Sequence, residues 1–339
     1  MIHKPRMVEA SRLQQQNARS QGNRLIIERF VSMFCEHPRI MAVIPSFNPD
    51  GRLVASCVQL MIQVARIVIV DDGSNEEQTS LVLDQCQLLG CTVIRRKSNN
   101  GIACALNVGV EVCRQDASDF VLTLDQDSFV PDNYVRLMLD AWHNATQDSA
   151  SIGAIGPERI NSHLVRSKTR KNKLAIGGEP IQSGLFFPTK TLDTVGPFNE
   201  LFFIDCVDTE YFLRMKDHGL CVALAQGSVL RHQLGVASPA KLFGVQVVRR
   251  GRLLELGHSA PFRYYYIRRN RTHLYLKYGL RYPGWALRSI REETRHHILV
   301  LIFLPNRYIH IRICLKGFFD GLRGATGPIS ASASKLADQ

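Results

Sequence analysis

The chain has 339 residues, 45% of them hydrophobic, and a formal net charge of +12. This composition supplies enough apolar side chains for one large or two medium cores, which argues against a largely disordered protein. No apolar run is long enough to cross a bilayer, and residues 1–39 lack the apolar segment of a signal peptide. We assign residues 1–39 to an N-terminal extension without chemistry of its own.

The nine cysteines are odd in number, form no CxxC pair and lie mostly in apolar segments. This pattern argues against a disulfide framework and against a zinc site, because both usually show paired or closely spaced cysteines. We therefore expect reduced, buried thiols and a cytoplasmic protein. The cysteines are Cys35, Cys57, Cys86, Cys91, Cys104, Cys113, Cys206, Cys221 and Cys314.

Four short apolar strands alternate with helices between residue 40 and about residue 145. We predict strands at 40–44, 66–70, 91–94 and 120–124, and helices at 53–64, 76–89, 102–112 and 134–143. The alternation predicts a parallel sheet built from right-handed crossovers. No GxGxxG or GxxxxGK[ST] motif occurs at the turns, which argues against NAD binding and P-loop chemistry.

Carboxylates directly follow two of these strands. Asp71 and Asp72 come after the second strand, and Asp125 and Asp127 come after the fourth. Open α/β sheets bind ligands at this edge. Two carboxylates one residue apart repel each other, and a divalent metal that also holds phosphate oxygens would relieve the repulsion. A simple turn that caps the next helix explains the segment up to Ser128 about equally well.

The second half of the domain supplies another acidic cluster. After a predicted strand at 152–156, the Lys-rich segment 158–179 is predicted to be a loop that covers a site. Strands are predicted at 182–187 and 221–225, and His232 follows the second of these. Asp205, Asp208 and Glu210 lie between the two strands. Asp208 begins a predicted helix, so a role as N-cap is the alternative to a chemical role.

The positive charge is concentrated in the C-terminal quarter. From Arg249 to Arg323 the chain has 16 Lys and Arg against four acids, whereas the remainder is balanced at 26 against 26. A predicted helix there has one apolar face, which would lie on an anionic membrane or pack on its own domain or a second subunit. The face consists of Ile311, Leu315, Phe318 and Leu322. A non-catalytic protein that binds nucleic acid or membrane is the alternative to an enzyme.

Four motifs in this order resemble the inverting family 2 glycosyltransferases of GT-A fold. They are VIPSFN from Val43, IVIVDDGS from Ile67, LDQDS from Leu124 and FIDCVDTEYFLR from Phe203. The glutamine of LDQDS and the VDTE segment are similar to rhamnosyltransferases that use dTDP-L-rhamnose. The resemblance implies a GT-A domain at 40–275 with a mainly parallel central sheet flanked by helices. The resemblance does not cover the tail; the residues themselves predict a basic helical tail at 276–325 and a disordered terminus at 326–339.

The resemblance also implies roles for the residues of these motifs. Asp71 and Asp72 would contact the nucleoside, and Pro45 would shape the entrance of the pocket. Asp125 and Asp127 would hold Mg2+ or Mn2+ on the donor diphosphate, with Gln126 beside the donor. His232 would complete the shell of the metal or the diphosphate, unless it is a surface histidine beside Arg231.

For the transfer step, the resemblance implies that Asp208 is the general base. Glu210 falls on the later acid of the family motif, and Asp205 would assist Asp208 or substitute for it, because Val207 replaces the family's glutamate. Arg268 or Arg269 would bind the diphosphate, since guanidinium groups pair well with phosphate oxygens.

The implied reaction moves L-rhamnose from dTDP-L-rhamnose to a hydroxyl of a surface polysaccharide or lipid-linked glycan. A UDP-hexose donor is the alternative within the fold. Peripheral contact with the inner face of the cell membrane and a homo-oligomer are compatible with this reaction, and nucleic acid is not an expected partner.

Overall fold

The computed structural model describes residues 38–147, 151–171, 174–232, 236–242, 245–249, 251–303 and 307–330. Most of the predicted N-terminal extension, residues 1–37, lies outside the described residues. The same holds for residues 331–339 of the predicted disordered terminus.

The first half of the described chain alternates strands and helices as predicted. The strands are β1 (Ile40–Ser46), β2 (Arg66–Asp71), β3 (Thr92–Arg95) and β4 (Phe120–Thr123). The helices are α1 (Gly51–Leu60), α2 (Glu76–Leu88), α3 (Ile102–Gln115) and α4 (Tyr134–Gln147). β1 pairs in parallel with both β2 and β4, and β2 pairs in parallel with β3. The predicted parallel sheet is confirmed.

The second half extends this sheet with strands of both directions. Its elements are β5 (Ile152–Ile160), β6 (His163–Leu164), β7 (Ser167–Lys171), β8 (Leu174–Gly177), β9 (Leu185–Pro188), α5 (Thr189–Val195), α6 (Val207–Asp217) and β10 (Cys221–Leu230). The strand order is β3-β2-β1-β4-β9-β5-β10-β8-β7, with β6 paired to β5. β9 is antiparallel to β4 and to β5, so the sheet is mixed.

The prediction of a loop over residues 158–179 is wrong. β5 continues to Ile160, and β6, β7 and β8 occupy most of the remaining segment. β7, with the sequence SKTRK, is the last strand at its end of the sheet. Charged side chains are typical of such an edge because they oppose pairing with another chain. The charge of this segment is therefore as compatible with an edge strand as with a loop.

Hydrophobic side chains cover both faces of the sheet. In β1, Met41 and Val43 belong to the core on one face. Ile40, Ala42 and Ile44 belong to the core on the other face. This alternation follows from the two-residue period of a strand. Gly109 of α3 packs on Val43, where an added Cβ would lie 2.3 Å from Val43 Cγ1. The helix approaches the sheet this closely because Gly109 has no side chain.

Short hairpins and three helices form the C-terminal region. The hairpin strands are β11 (Val236–Pro239) with β16 (Glu255–His258), β12 (Lys241–Leu242) with β13 (Val245–Gln246), and β14 (Val248–Arg249) with β15 (Arg252–Leu253). The helices are α7 (Pro261–Tyr278), α8 (Pro283–Phe303) and α9 (Arg307–Leu322). The predicted boundary at residue 275 falls inside α7. Within the described residues, no helix combines the length and the apolar character required to traverse a bilayer.

α9 packs closely on α7 through its small residues. A Cβ at Gly317 would lie 2.5 Å from Tyr265 O, and one at Gly321 would lie 2.7 Å from Arg269 O. The apolar face predicted for this helix points away from α7. Its four side chains remain 38–52% exposed.

Candidate active site

A cavity of about 1060 Å3 opens at the carboxyl ends of the parallel strands. Pro45 of β1, Asp72 after β2 and the acidic triplet after β4 line it from the sheet side. Residues of α6, α7 and α8 form another part of its wall. The site therefore lies where an open α/β sheet binds ligands.

Asp125, Asp127 and His232 form a cluster at this cavity whose ligand atoms all lie within 4.8 Å of one another. Asp127 Oδ1 is 3.3 Å from His232 Nδ1, and Asp125 Oδ2 is 3.6 Å from His232 Nε2. The His232 side chain is only 13% exposed, so it is not a surface histidine.

One carboxylate oxygen of this cluster lacks a hydrogen-bond donor. Asp125 Oδ1 is buried and has no partner among the described residues. A buried polar atom without a partner is costly, and a hard divalent cation with oxygen ligands would satisfy it. The residues therefore fit Mg2+ or Mn2+, as the acidic triplet predicts.

Polar contacts hold the cluster in place. Gln126 donates through Nε2 to Phe47 O (3.1 Å) and accepts from Phe47 N through Oε1 (2.8 Å), which joins the acidic triplet to the end of β1. Ser128 Oγ lies 3.0 Å from His232 Nδ1 and 2.7 Å from Ser183 Oγ. Gln126, predicted to lie beside the donor, thus also positions its two neighbours.

The three charged groups change one another's pKa. Burial raises the pKa of Asp125 to about 6. The positive charge of His232 opposes this rise, and the negative charge of Asp127 adds to it. Burial also opposes ionisation of Asp127, but the hydrogen bond with His232, the positive charges of His232 and Arg52 and a backbone hydrogen bond together outweigh it and lower the pKa of Asp127. The pKa of His232 is raised because the two carboxylates outweigh the effect of burial. The cluster thus concentrates negative charge that attracts a cation.

Asp71 and Asp72 hold turns of the backbone at the edge of the site. Asp72 accepts hydrogen bonds from Gly101 N (2.7 Å) and Arg96 Nη1 (2.5 Å), and so fixes the turn before α3. Asp71 is buried, accepts from Ser74 and is not among the cavity-lining residues. Asp71 is therefore a turn-stabilising residue in this structure, whereas the nucleoside contact of Asp72 stays a prediction.

Asp208 lines the same cavity from the first turn of α6. Cys206, not Asp208, occupies the N-cap position, so the N-cap alternative is wrong. Asp208 Oδ1 accepts from Thr209 N at 2.7 Å. Burial raises the pKa of Asp208 to about 6. The hydrogen bond from Thr209 opposes this rise, and repulsion from Glu179 adds to it. This pKa suits a general base that works near neutral pH.

Glu179 is a cavity residue that the sequence analysis missed. It accepts from Thr209 Oγ1 (2.7 Å), from Arg271 Nη1 (2.7 Å) and from Trp285 Nε1 (3.0 Å). Three donors on one carboxylate connect the start of α6 to α7 and α8. The network keeps Glu179 ionised beside Asp208, and this negative charge helps to raise the pKa of Asp208.

Asp205 is held by an arginine of α7. Arg263 donates from Nη2 to Asp205 Oδ1 (2.6 Å) and from Nε to Oδ2 (3.3 Å). Both residues line the cavity. Since each Asp205 oxygen already has a donor, Asp205 is less accessible to an acceptor hydroxyl than Asp208 is.

The assignment of Arg268 and Arg269 to the diphosphate is not supported by their positions. Neither is a cavity-lining residue. Arg269 is 1% exposed and donates to Gly327 O at 2.7 Å. Arg263 and Arg271 line the cavity instead, eight residues apart on one side of α7. The helical period of 3.6 residues could have identified this pair in the sequence.

Glu210 also lies outside the cavity. It is 2% exposed and forms an ion pair with Arg214 at 2.8 Å. Residues two apart in a helix point to different sides, so Glu210 cannot share the position of Asp208. Its predicted chemical role is replaced by a structural one.

The backbone between the cavity and α6 is strained and is held by Asn270. Asp205 and Cys206 have φ values of 63° and 62°, in the left-handed region that residues with a side chain rarely adopt. Asn270 Nδ2 donates to Ile204 O (2.9 Å) and Asp205 O (2.8 Å). Asn270 therefore holds the segment that carries Asp205 and Asp208.

Replacing Asn270 by Ala is expected to destabilise the protein by about 1–3 kcal/mol and to lower turnover. Asn107→Ala is the matched control, because Asn107 also makes two backbone hydrogen bonds, both to Phe198, away from the cavity. Urea unfolding and turnover of the folded fraction are the measurements. Equal turnover losses in both variants would contradict a positioning role for Asn270.

Comparison with known proteins finds relatives of this chain. Residues 41–203 match the model of glycosyl transferase family 2. The chain is 27% identical over 305 residues to the dTDP-rhamnosyl transferase RfbF of Shigella flexneri, covering 85% of this chain and 97% of that protein. It is 26% identical over 140 residues to an undecaprenyl-phosphate 4-deoxy-4-formamido-L-arabinose transferase of Aeromonas hydrophila, covering 39% and 41% of the two chains.

Among solved structures, the mannosyltransferase PcManGT of Pyrobaculum calidifontis, in complex with GDP-Man and Mn2+, superposes with a TM-score of 0.45. The identity is 16%, and the match covers 89% of this chain and 79% of that chain.

The protein is a glycosyltransferase. Residues 41–203, just under half of the chain, carry the match to glycosyl transferase family 2 that the four motifs predict. The alternative of a non-catalytic basic binding protein is thereby set aside.

Proposed function

We propose that the protein is an inverting, metal-dependent rhamnosyltransferase that moves L-rhamnose from dTDP-L-rhamnose to a hydroxyl of a glycan or lipid-linked precursor. The observation that carries this proposal is one cavity that contains both a cation-binding cluster and a buried carboxylate of raised pKa. Similarity to a dTDP-rhamnosyl transferase over most of the chain supports the choice of donor.

Asp125, Asp127 and His232 would hold Mg2+ or Mn2+ in this reaction. The bound ion would supply positive charge that stabilises the departing nucleoside diphosphate. Pro45, Asp72 and Gln126 border the same region and would contact the donor.

Asp208 would accept the proton of the acceptor hydroxyl. The oxygen of that hydroxyl attacks the anomeric carbon as the bond from this carbon to the diphosphate oxygen breaks, and dTDP leaves with the bonding electrons. Attack from the face opposite the leaving group inverts the configuration, so a β-linked donor yields an α-L-rhamnoside. Since the base must be ionised to accept a proton, the pKa of Asp208 near 6 requires a working pH above this value.

We also propose that the C-terminal region contacts the inner face of the membrane. Ile311, Leu315, Phe318 and Leu322 are 38–52% exposed on α9, in the basic quarter of the chain. Exposed apolar side chains beside Arg and Lys favour an anionic lipid surface. A lipid-linked acceptor would be encountered at that surface.

Release of nucleoside diphosphate tests the proposed donor. Purified protein is incubated with Mg2+ or Mn2+, membrane extract as the source of acceptor, and dTDP-rhamnose, UDP-glucose, UDP-galactose or GDP-mannose in turn. We expect release from dTDP-rhamnose alone, abolished by EDTA. Sedimentation of the same mixture reports whether the protein stays with the membranes.

Preference for a UDP-sugar would overturn the choice of rhamnose but keep the mechanism. Release that is unaffected by EDTA would overturn the metal assignment. Protein that remains in the supernatant at low ionic strength would contradict the membrane contact.

A further inference from the structure

A second cluster of metal-ligating side chains lies between α8 and α9. It consists of His297 of α8 and of His310 and Cys314, one turn apart on α9. His297 Nδ1 is 3.0 Å from His310 Nε2. Cys314 Sγ is 4.0 Å from His297 Nδ1 and 3.8 Å from His310 Nε2. None of the three lines the cavity of the transfer reaction.

These distances approach those between ligand atoms around a tetrahedral Zn2+. Bonds of about 2.0–2.1 Å to nitrogen and about 2.3 Å to sulfur place the ligand atoms roughly 3.3–3.6 Å apart. The triangle formed by the two nitrogens and the sulfur requires side-chain shifts of only about half an ångström to reach this range.

We propose that His297, His310 and Cys314 bind a Zn2+ ion that joins α8 to α9. This proposal reverses the expectation drawn from the cysteine spacing, because two histidines supply the other ligands. Two imidazoles and a thiolate are ligands that zinc prefers, whereas Mg2+ and Mn2+ prefer oxygen ligands such as those of Asp125 and Asp127. The chain would thus carry two sites that select different ions. Three protein ligands leave one tetrahedral position for solvent.

The protonation states of the ligands are compatible with this role. Burial, together with nearby Arg268, lowers the pKa of His297 to about 3, and burial with His296 and Arg268 lowers that of His310 to about 4. Both imidazoles are therefore neutral at pH 7 and have a lone pair available. Burial raises the pKa of Cys314 to about 11, so its proton would leave to solvent as the sulfur–zinc bond forms.

The positive charge of the arginine nearest the cluster is paired with an acid. Arg268 is near the ligands, and Glu293 lies 3.5 Å from its guanidinium group. The thiolate formed at Cys314 would neutralise one charge of the ion. The rings of Tyr264 and His310 pack edge to face, with their centroids 4.3 Å apart. This contact limits the movement of the His310 imidazole.

The site would stabilise one wall of the cavity without entering it. Tyr264 OH is 3.1 Å from His296 Nε2, and His296 lines the cavity beside Glu292 and Glu293 of α8. A metal at His297 would therefore fix the helix that carries this wall. This role is independent of the proposed donor and acceptor.

Metal binding by the full-length, tag-free protein tests the proposal. Asp127→Asn removes competition from the oxygen-rich site and serves as the background. After treatment with EDTA and titration with Zn2+, we expect about one tightly bound Zn2+ per chain and a Tm raised by at least about 2 °C. Co2+ in place of Zn2+ should give the absorption band of a thiolate–cobalt bond. This measurement needs no further variant.

Cys314→Ser and His310→Gln should each weaken Zn2+ binding by at least about 100-fold, and Cys314→Ser should remove the cobalt–thiolate band. His218→Gln, an exposed histidine at the end of α6, is the control that should retain both properties. Unchanged zinc affinity in Cys314→Ser, or a Tm that Zn2+ does not raise, would overturn the proposal. The cluster would then be a histidine pair beside an ordinary buried thiol.

Discussion

Replacing Asp208 by Asn is expected to lower turnover by about 10²- to 10⁴-fold, the usual contribution of a positioned general base. Asn keeps the size of the side chain but cannot accept the proton of the acceptor hydroxyl. The measurement is dTDP release with saturating donor and acceptor, together with thermal unfolding of the same protein sample.

The pH dependence provides a second readout of the same change. Below pH about 6 the wild-type rate should fall about tenfold per pH unit, because Asp208 becomes protonated. At saturating Mg2+ or Mn2+, which keeps Asp125 ionised, the residual rate of Asp208→Asn should lack this decline. If it declines as in the wild type, a different group is responsible for the proton transfer.

The stability of the fold should respond to pH in the opposite direction to activity. The pKa of Asp208 in the folded protein is raised from 3.8 to about 6, so the carboxyl stabilises the fold below pH about 4 and loses this contribution as the pH rises through 6. At pH 8 the wild type holds an unfavourable buried charge that Asn does not have. We therefore expect a Tm for Asp208→Asn equal to or above that of the wild type.

Glu210→Gln is the matched control on the same helix. It breaks the buried ion pair with Arg214 and should cost about 3–5 kcal/mol of unfolding free energy. Because Glu210 lies outside the cavity, the fraction that remains folded should keep wild-type turnover. If Asp208→Asn retains more than about a tenth of the wild-type rate, Asp208 is not the base and Asp205 becomes the candidate.

Replacing Asp127 by Asn is expected to abolish metal-dependent transfer, with a loss of at least about 10³-fold. The ion is proposed to stabilise the charge of the leaving diphosphate, and Asn removes one anionic ligand without changing the shape of the site. Binding of Mn2+, followed by electron paramagnetic resonance, should weaken in parallel with the loss of turnover.

Asp140→Asn, at an exposed position of α4, is the control for this substitution. It removes the same charge from the molecule and should alter neither Mn2+ affinity nor turnover. Retained transfer by Asp127→Asn, or Mn2+ affinity equal to that of the control, would count against the metal assignment.

Local sequence patterns were sufficient to predict the position of a site residue where this position follows from the strand that leads to it. The carboxyl ends of parallel strands meet at one edge of a sheet, so Pro45 near the end of β1 and Asp125 after β4 were expected to lie together, and both line the cavity. The parallel pairing of β1 with its two neighbours follows from the same alternation of strands and helices.

Predictions based on charge alone were less successful. The Lys-rich segment at 158–179 contains strands at the edge of the sheet, because charge does not distinguish an exposed loop from an exposed edge strand. Arg268 and Arg269 were chosen from the family resemblance and because guanidinium groups pair with phosphate, yet the direction of α7 turns Arg269 into the protein and Arg263 and Arg271 toward the cavity.

The sequence by itself determined the family resemblance, the parallel half of the sheet and the acidic triplet, because each depends on short patterns or on residues within one strand-turn-helix unit. Only the tertiary structure decided which distant side chains meet. Ser128 reaches His232 across 104 residues because their segments pair side by side. In the same way, His297 reaches His310 and Cys314 only because α8 and α9 pack together. Neither spacing is a local repeat, so contacts of this kind appear only when the helices and strands have packed.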